Sequence, residues 1–249
     1  MLNKFFLFFI LLFFSTVSSA QLTEGVEKSW EKGVAFIPNQ LFSKSPTNIT
    51  VEKIFPVVIF MHGCTGIGQE ERAWANLISK SGVIVILPDS LARPGRVSNC
   101  NPTTHKSTLA FPNADKFRQE EISYALSIVY ASLWADKNNI FLMGFSEGGR
   151  ASALSNHNGF KGKIITGWTC THIYSDWHGI GGSKSMPVLA IAHLNDPWRG
   201  GVMNQARCID QSEGFTNFTQ VDLEGFGHAT SSNIKARESV KDFLNKNLN

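Results

Sequence analysis

The sequence predicts an α/β fold in one domain, with a mainly parallel central sheet and helices on both faces. Short apolar runs alternate along the chain with segments of helical periodicity, as expected of buried parallel strands joined by crossover helices. The clearest runs, Pro56-Val-Val-Ile-Phe-Met61, Val83-Ile-Val-Ile-Leu87 and Ile140-Phe-Leu-Met143, hold no polar residue. The chain has 249 residues, 43% hydrophobic and 17% charged, which suits one core of α/β size. It shows no internal repeat, low-complexity tract or composition break.

The first twenty residues stand apart. A short n-region with Lys4 leads into an unbroken apolar stretch, Phe5 to Phe14, followed by small residues at Ser18 and Ala20. This is the pattern of a secretory signal cleaved after about Ala20, and the stretch is too short to span a bilayer. The expected organisation is a signal peptide, 1–20, and a single domain, 21–249, secreted or periplasmic, with no stable membrane anchor after cleavage. The 23 Lys and Arg against 20 Asp and Glu leave a formal charge of +3, which loss of Lys4 lowers by one. So small an excess, without a basic run, argues against nucleic acid as a partner.

In order, 24–32 is polar and suggests no element. Residues 33–38 and 48–53 read as edge strands. Strand 56–61 ends at His62-Gly63-Cys64, and a helix over 70–80 turns Trp74, Leu77 and Ile78 inward. Strand 83–87 precedes a long irregular loop, 88–112, of a length often tied to function. A helix over 113–136 presents Ile122, Leu126, Val129 and Leu133 to the core. Strand 140–143 then meets Gly144-Phe-Ser146-Glu-Gly148 and a helical segment. Strands follow at 163–168, 187–192 and 218–223, with a looping segment at 171–186 and a closing helix over 234–248.

Strand, G-x-S-x-G, helix is the context of a nucleophile elbow. A serine on such a turn has a strained backbone, small neighbours let the elements close around it, and its hydroxyl projects at the sheet end beside a helix N-terminus. Serine is a weak nucleophile unless a base takes its proton and a third group orients that base. Asp196 falls just past one later strand and His228 just past the last, in the order an elbow requires. Asp176 lies further from its strand end, and Asp210 and Asp222 are placed less well. The expected triad is Ser146, Asp196 and His228, with His193 in a packing role. Acyl transfer also needs donors for the oxyanion, assigned here to the backbone N–H groups of Glu147 and Cys64.

Four cysteines, Cys64, Cys100, Cys170 and Cys208, follow the leader. An even number in an exported chain favours disulfides. Cys64 and Cys100 follow strands ending on one sheet edge, and Cys170 and Cys208 follow neighbouring strands, so the expected bridges are Cys64–Cys100 and Cys170–Cys208. No C-x-x-C pair is present, and Cys170, His172, Asp176 and His178 lack a metal-site spacing, so no metal or other cofactor is expected. Asn48 and Asn217 begin glycosylation sequons.

With these residues in view, the chain from about residue 33 resembles the α/β-hydrolase superfamily. Residues 56–66, Leu87-Pro-Asp-Ser-Leu-Ala-Arg93-Pro-Gly-Arg96 and 143–149 are similar to the dienelactone-hydrolase family. The resemblance implies hydrolysis of small-molecule esters or lactones through an acyl-enzyme, without cofactor. It assigns Ser146, Asp196 and His228 as nucleophile, acid and base, and suggests Arg93 and Arg96 for a substrate carboxylate. That family uses a cysteine nucleophile, so Ser146 points to a secreted serine esterase. The same site would also suit a polyester depolymerase or a peptidase, and the fold alone would suit a secreted binding protein.

Overall fold

The computed structural model describes residues 24–108, 110–172, 174–199 and 205–248; the expected signal, 1–20, lies outside them. In chain order the elements are α1 (Val26–Glu31), β1 (Val34–Phe36), β2 (Phe55–Met61), α2 (Gln69–Ser79), β3 (Ile84–Leu87), a small hairpin of β4 (Cys100–Asn101) and β5 (Lys106–Ser107), α3 (Ala114–Ala131), β6 (Ala135–Phe145), α4 (Glu147–Leu154), β7 (Gly162–Thr166), β8 (Val188–Asn195), β9 (Phe218–Phe226) and α5 (Ile234–Asn247). Among the described residues the main sheet has seven strands in the order β1-β3-β2-β6-β7-β8-β9. Within this sheet only β1 pairs antiparallel; its other pairings are parallel.

The apolar runs explain the layers. Successive side chains of a strand face opposite sides, so a run without polar residues feeds two cores. In β2, Val58 and Phe60 join one core with Trp74 and Ile78 of α2 and Val240 and Phe243 of α5. Val57, Ile59 and Met61 join the other with Ile122, Leu126 and Val129 of α3.

Three expectations are corrected. Residues 26–31 form α1, which buries Val26 and Trp30, with Trp30 packed in the α3 core; the apolar face is too short for periodicity to show it. Residues 49–53 are not a strand but follow a 3-10 turn, Pro46–Asn48. Helix α3 stops at Ala131, so Leu133 is 89% exposed rather than inward.

Two disulfides, Cys64–Cys100 and Cys170–Cys208, join the cysteines as the sequence suggested. No helix among the described residues is long and apolar enough to cross a membrane.

Lys163 of β7 is wholly buried. Its ammonium donates to the carbonyls of Ala153, Ser155 and Gly181, tying the end of α4 to the following loop. Burial pulls its pKa down to about 7 from 10.5. A lowered amine pKa means the unfolded chain binds more protons between these values, so stability rises with pH from about 7 upward. Denaturant titrations between pH 6.5 and 9.5 should show wild type gaining on Lys163→Met by up to ~1.4 kcal/mol per pH unit. Parallel pH profiles would refute this.

Candidate active site

The C-terminal ends of β2, β6, β8 and β9 converge on one edge of the sheet, where open α/β sheets place their ligands. Ser146 follows β6 at once and holds φ 56, ψ −116, a left-handed conformation costly for a residue with a Cβ. Its neighbours must be glycine. A Cβ on Gly144 would stand 2.0 Å from the Gly148 carbonyl oxygen, and one on Gly148 2.0 Å from that of Met61. Ser146 N–H donates to Thr166 O at 2.9 Å, and Ser146 O accepts from Arg150 N at 2.9 Å, so strand and helix hold the turn from both sides.

Asp196 follows β8 and is buried. Its Oδ1 accepts from Trp198 N at 2.9 Å, which fixes the carboxylate and leaves Oδ2 to accept from His228 Nδ1 at 2.6 Å. A hydrogen on Nδ1 makes Nε2 the basic nitrogen, and Nε2 has no hydrogen-bond partner among the described residues. The His228 ring packs against Phe145 and Trp198, with centroids 4.8 and 5.4 Å away. Ser146, Asp196, His228, Glu147 and Cys64 all line one pocket. The sequence-predicted triad and both residues named for the oxyanion therefore meet at one place. His193, expected to serve packing, is buried in β8 with Nε2 3.1 Å from Ala229 O.

The loops bearing these groups are held by α2, through residues the sequence reading passed over. Glu70 accepts from Thr230 N at 2.7 Å, Thr230 Oγ1 at 3.0 Å and Ser231 N at 2.9 Å, and also from Ser231 Oγ, which anchors the loop just after His228. Glu71 accepts from Gly63 N and Gly68 N, each at 2.9 Å. That engages the Gly63 N–H, while Cys64, the next residue along, lines the pocket. Consecutive acids in a first helical turn look on sequence like ordinary N-terminal charge; only the tertiary structure gives each a separate loop to hold.

Beneath the site lies a buried ionic cluster. Arg118 of α3 donates to His62 O at 2.9 Å and, through Nε and Nη2, to Glu147 Oε1 at 3.1 and 2.9 Å. Arg96 Nη2 meets the same oxygen at 2.5 Å. Burial opposes ionisation of Glu147, but Arg118 and Arg96, then Arg150, outweigh it and bring the carboxyl to about 2. His62 is neutral: Ser90 N donates to its Nε2 at 2.9 Å, so the hydrogen sits on Nδ1 and points to Gly63 O at 2.6 Å. Its burial foremost, and the Arg118 charge, push its pKa well down.

A scan of the sequence against family models finds no match, and a search of curated proteins finds no relative. The fold does match solved structures. Esterase PE8 aligns with a TM-score of 0.58 at 16% identity, over 79% of this chain and 94% of that one. Est1E from Butyrivibrio proteoclasticus, with ferulic acid bound, gives 0.56 at 15% identity, over 86% and 94%. A dienelactone hydrolase-like promiscuous phosphotriesterase from metagenomic libraries gives 0.62 at 11%, over 83% and 91%. The chain has the α/β-hydrolase fold.

Within this fold, Arg93 and Arg96 do not line the pocket. Both side chains are fully enclosed. Arg93 pairs with Glu120 at 2.7 Å and lies over the Phe117 ring at 3.6 Å, while Arg96 pairs with Glu147. The long loop is polar on sequence, but it folds inward onto α3, whose Glu120 and Glu121 receive it. Cys170 is likewise taken by its disulfide, and His172 packs on Trp177 with ring centroids 4.6 Å apart, so that cluster does not assemble. Among the described residues no group of His, Cys, Asp and Glu is placed to hold a metal ion.

Proposed function

We propose that the protein is a serine hydrolase of carboxylic esters, exported behind the 1–20 signal. The observation that carries this is a strained Ser146 sharing a pocket with a histidine oriented by a buried carboxylate at 2.6 Å and basic at its free nitrogen. His228 Nε2 takes the Ser146 proton as Oγ bonds to the ester carbonyl carbon. The oxyanion is held by the N–H groups of Glu147 and Cys64, the first at the start of α4, where negative charge is favoured. Collapse of the adduct breaks the C–O bond, and His228 returns the proton to the leaving alcohol. Water, deprotonated by the same nitrogen, then cleaves the acyl-enzyme and regenerates Ser146. Asp196 holds the tautomer and stabilises the imidazolium throughout.

The esterases among proteins of similar fold support ester hydrolysis, and Est1E with its ferulic acid supports an aromatic acyl group. The pocket agrees: Trp168, Trp177 and Trp198 line it. Two disulfides suit an oxidising compartment. A fluorophosphonate probe should label Ser146 covalently, located by peptide mass. A protein inert to the probe at neutral pH would sink the proposal and point to a binding protein instead.

A further inference from the structure

The pocket beside the triad carries hydrogen-bond donors that meet no acceptor among the described residues. Arg199, in the turn after Asp196, lines it, and its Nε, Nη1 and Nη2 are all shielded from solvent and have no hydrogen-bond partner among the described residues. Trp168 Nε1 lines the same pocket and is also shielded and unbonded. Guanidinium and indole N–H groups only donate. A shielded donor without an acceptor is disfavoured, more so when charged, so these groups call for an incoming acceptor.

The protein's own carboxylates are committed elsewhere. Asp196 and Asp222 lie near enough to act on the Arg199 charge. Yet Asp196 holds His228 at 2.6 Å and Asp222 pairs with Arg207 at 2.6 Å. The other charged groups of the pocket wall are matched as well, Arg150 to Asp115 at 2.9 Å and Glu147 to Arg118 at 2.9 Å. Arg199 is left as the cation without a counter-ion among the described residues of the wall.

The rest of the wall indicates what surrounds the missing acceptor. Trp177 is held flat by the Arg150 guanidinium, 3.8 Å from its ring centroid. Trp198 immediately precedes Arg199 in sequence, and its ring lies 5.4 Å from the His228 ring. Flat apolar walls with a few polar groups suit an aromatic body whose polar end is fixed in orientation.

Resting on the esterase reading, we propose that the substrate is a half-ester of an aromatic dicarboxylic acid, its ring among Trp168, Trp177 and Trp198 and its free carboxylate on Arg199. The guanidinium fork matches a carboxylate in two parallel bonds, which an ammonium does not reproduce.

The test compares monomethyl terephthalate with methyl 4-carbamoylbenzoate, its uncharged isostere. Wild type should favour the half-ester in kcat/KM by roughly 10- to 100-fold, as expected for hydrogen bonds to a charged group. Arg199→Ala should bring that ratio close to one, and Arg199→Lys should keep part of it. A ratio near one in wild type, or an unchanged ratio in Arg199→Ala, overturns the subsite. Binding is read separately, by tryptophan fluorescence in Ser146→Ala protein with and without Arg199→Ala. Arg199-dependent binding of the half-ester without turnover by wild type would retain the subsite and reject the esterase; turnover of both esters without preference would do the reverse.

Discussion

Replacing Ser146 with alanine is expected to lower kcat on p-nitrophenyl acetate by roughly 10⁴- to 10⁶-fold, because nucleophile and base act as a unit and neither is useful alone. Thermal stability should not fall with activity. The positive φ of Ser146 is set by close backbone contacts at Gly144 and Gly148, not by the hydroxyl, and alanine carries the same Cβ. Residual turnover would reflect the oxyanion donors, so Ser146→Ala should stay above the uncatalysed rate. Near-wild-type hydrolysis by the variant would mean that another group is the nucleophile.

Arg118→Ala should have the largest effect on stability, a loss of roughly 3–5 kcal/mol in denaturant unfolding, since it breaks a buried ionic cluster and leaves Glu147 with Arg96 as its one directly bonded guanidinium. The side chain joins α3 to both walls of the proposed oxyanion site, the His62 carbonyl on one and the Glu147 carboxylate on the other. Activity should fall with stability, and Arg118→Lys should recover less than half, having no second bond to give Glu147. The cluster also sets the acid limit. Glu147 has a folded pKa of about 2 against an ordinary 4.5. Its contribution is therefore present above about 4.5 and lost as pH falls toward 2, since the unfolded chain takes up the proton first. Wild type should lose stability through that window more steeply than Glu147→Gln, whose amide does not titrate; equal slopes, or an Arg118→Ala variant as stable as wild type, would show that the cluster contributes nothing net.

That Ser146, Asp196 and His228 line one pocket was legible in the sequence because each follows a strand of a parallel sheet, which brings such strand ends to one edge. The same logic placed the cysteine pairs. It failed for Arg93 and Arg96. On sequence they sit in a polar loop that looks solvated, and only the inward fold of 88–112 onto Glu120 and Glu121 shows them to be interior cations. Glu70 and Glu71 were hidden for a related reason: their partners, Thr230 and Gly63, lie on segments distant in sequence in one case and across a loop in the other. Helix α1 escaped because six residues carry too little periodicity to register.

What the sequence determined by itself was the arrangement of buried strands, and with it which residues stand at the sheet's C-terminal edge, because strand burial and chain order are local and periodic properties. Which charged groups are neutralised and which are left open to a ligand was decided by the tertiary structure alone. Arg96, Arg118, Arg150 and Arg199 are the same residue type in comparable polar contexts. Three of them meet a carboxylate in the folded chain, and Arg199 meets none among the described residues. That difference depends on distances between segments far apart in sequence, which no pattern along the chain records.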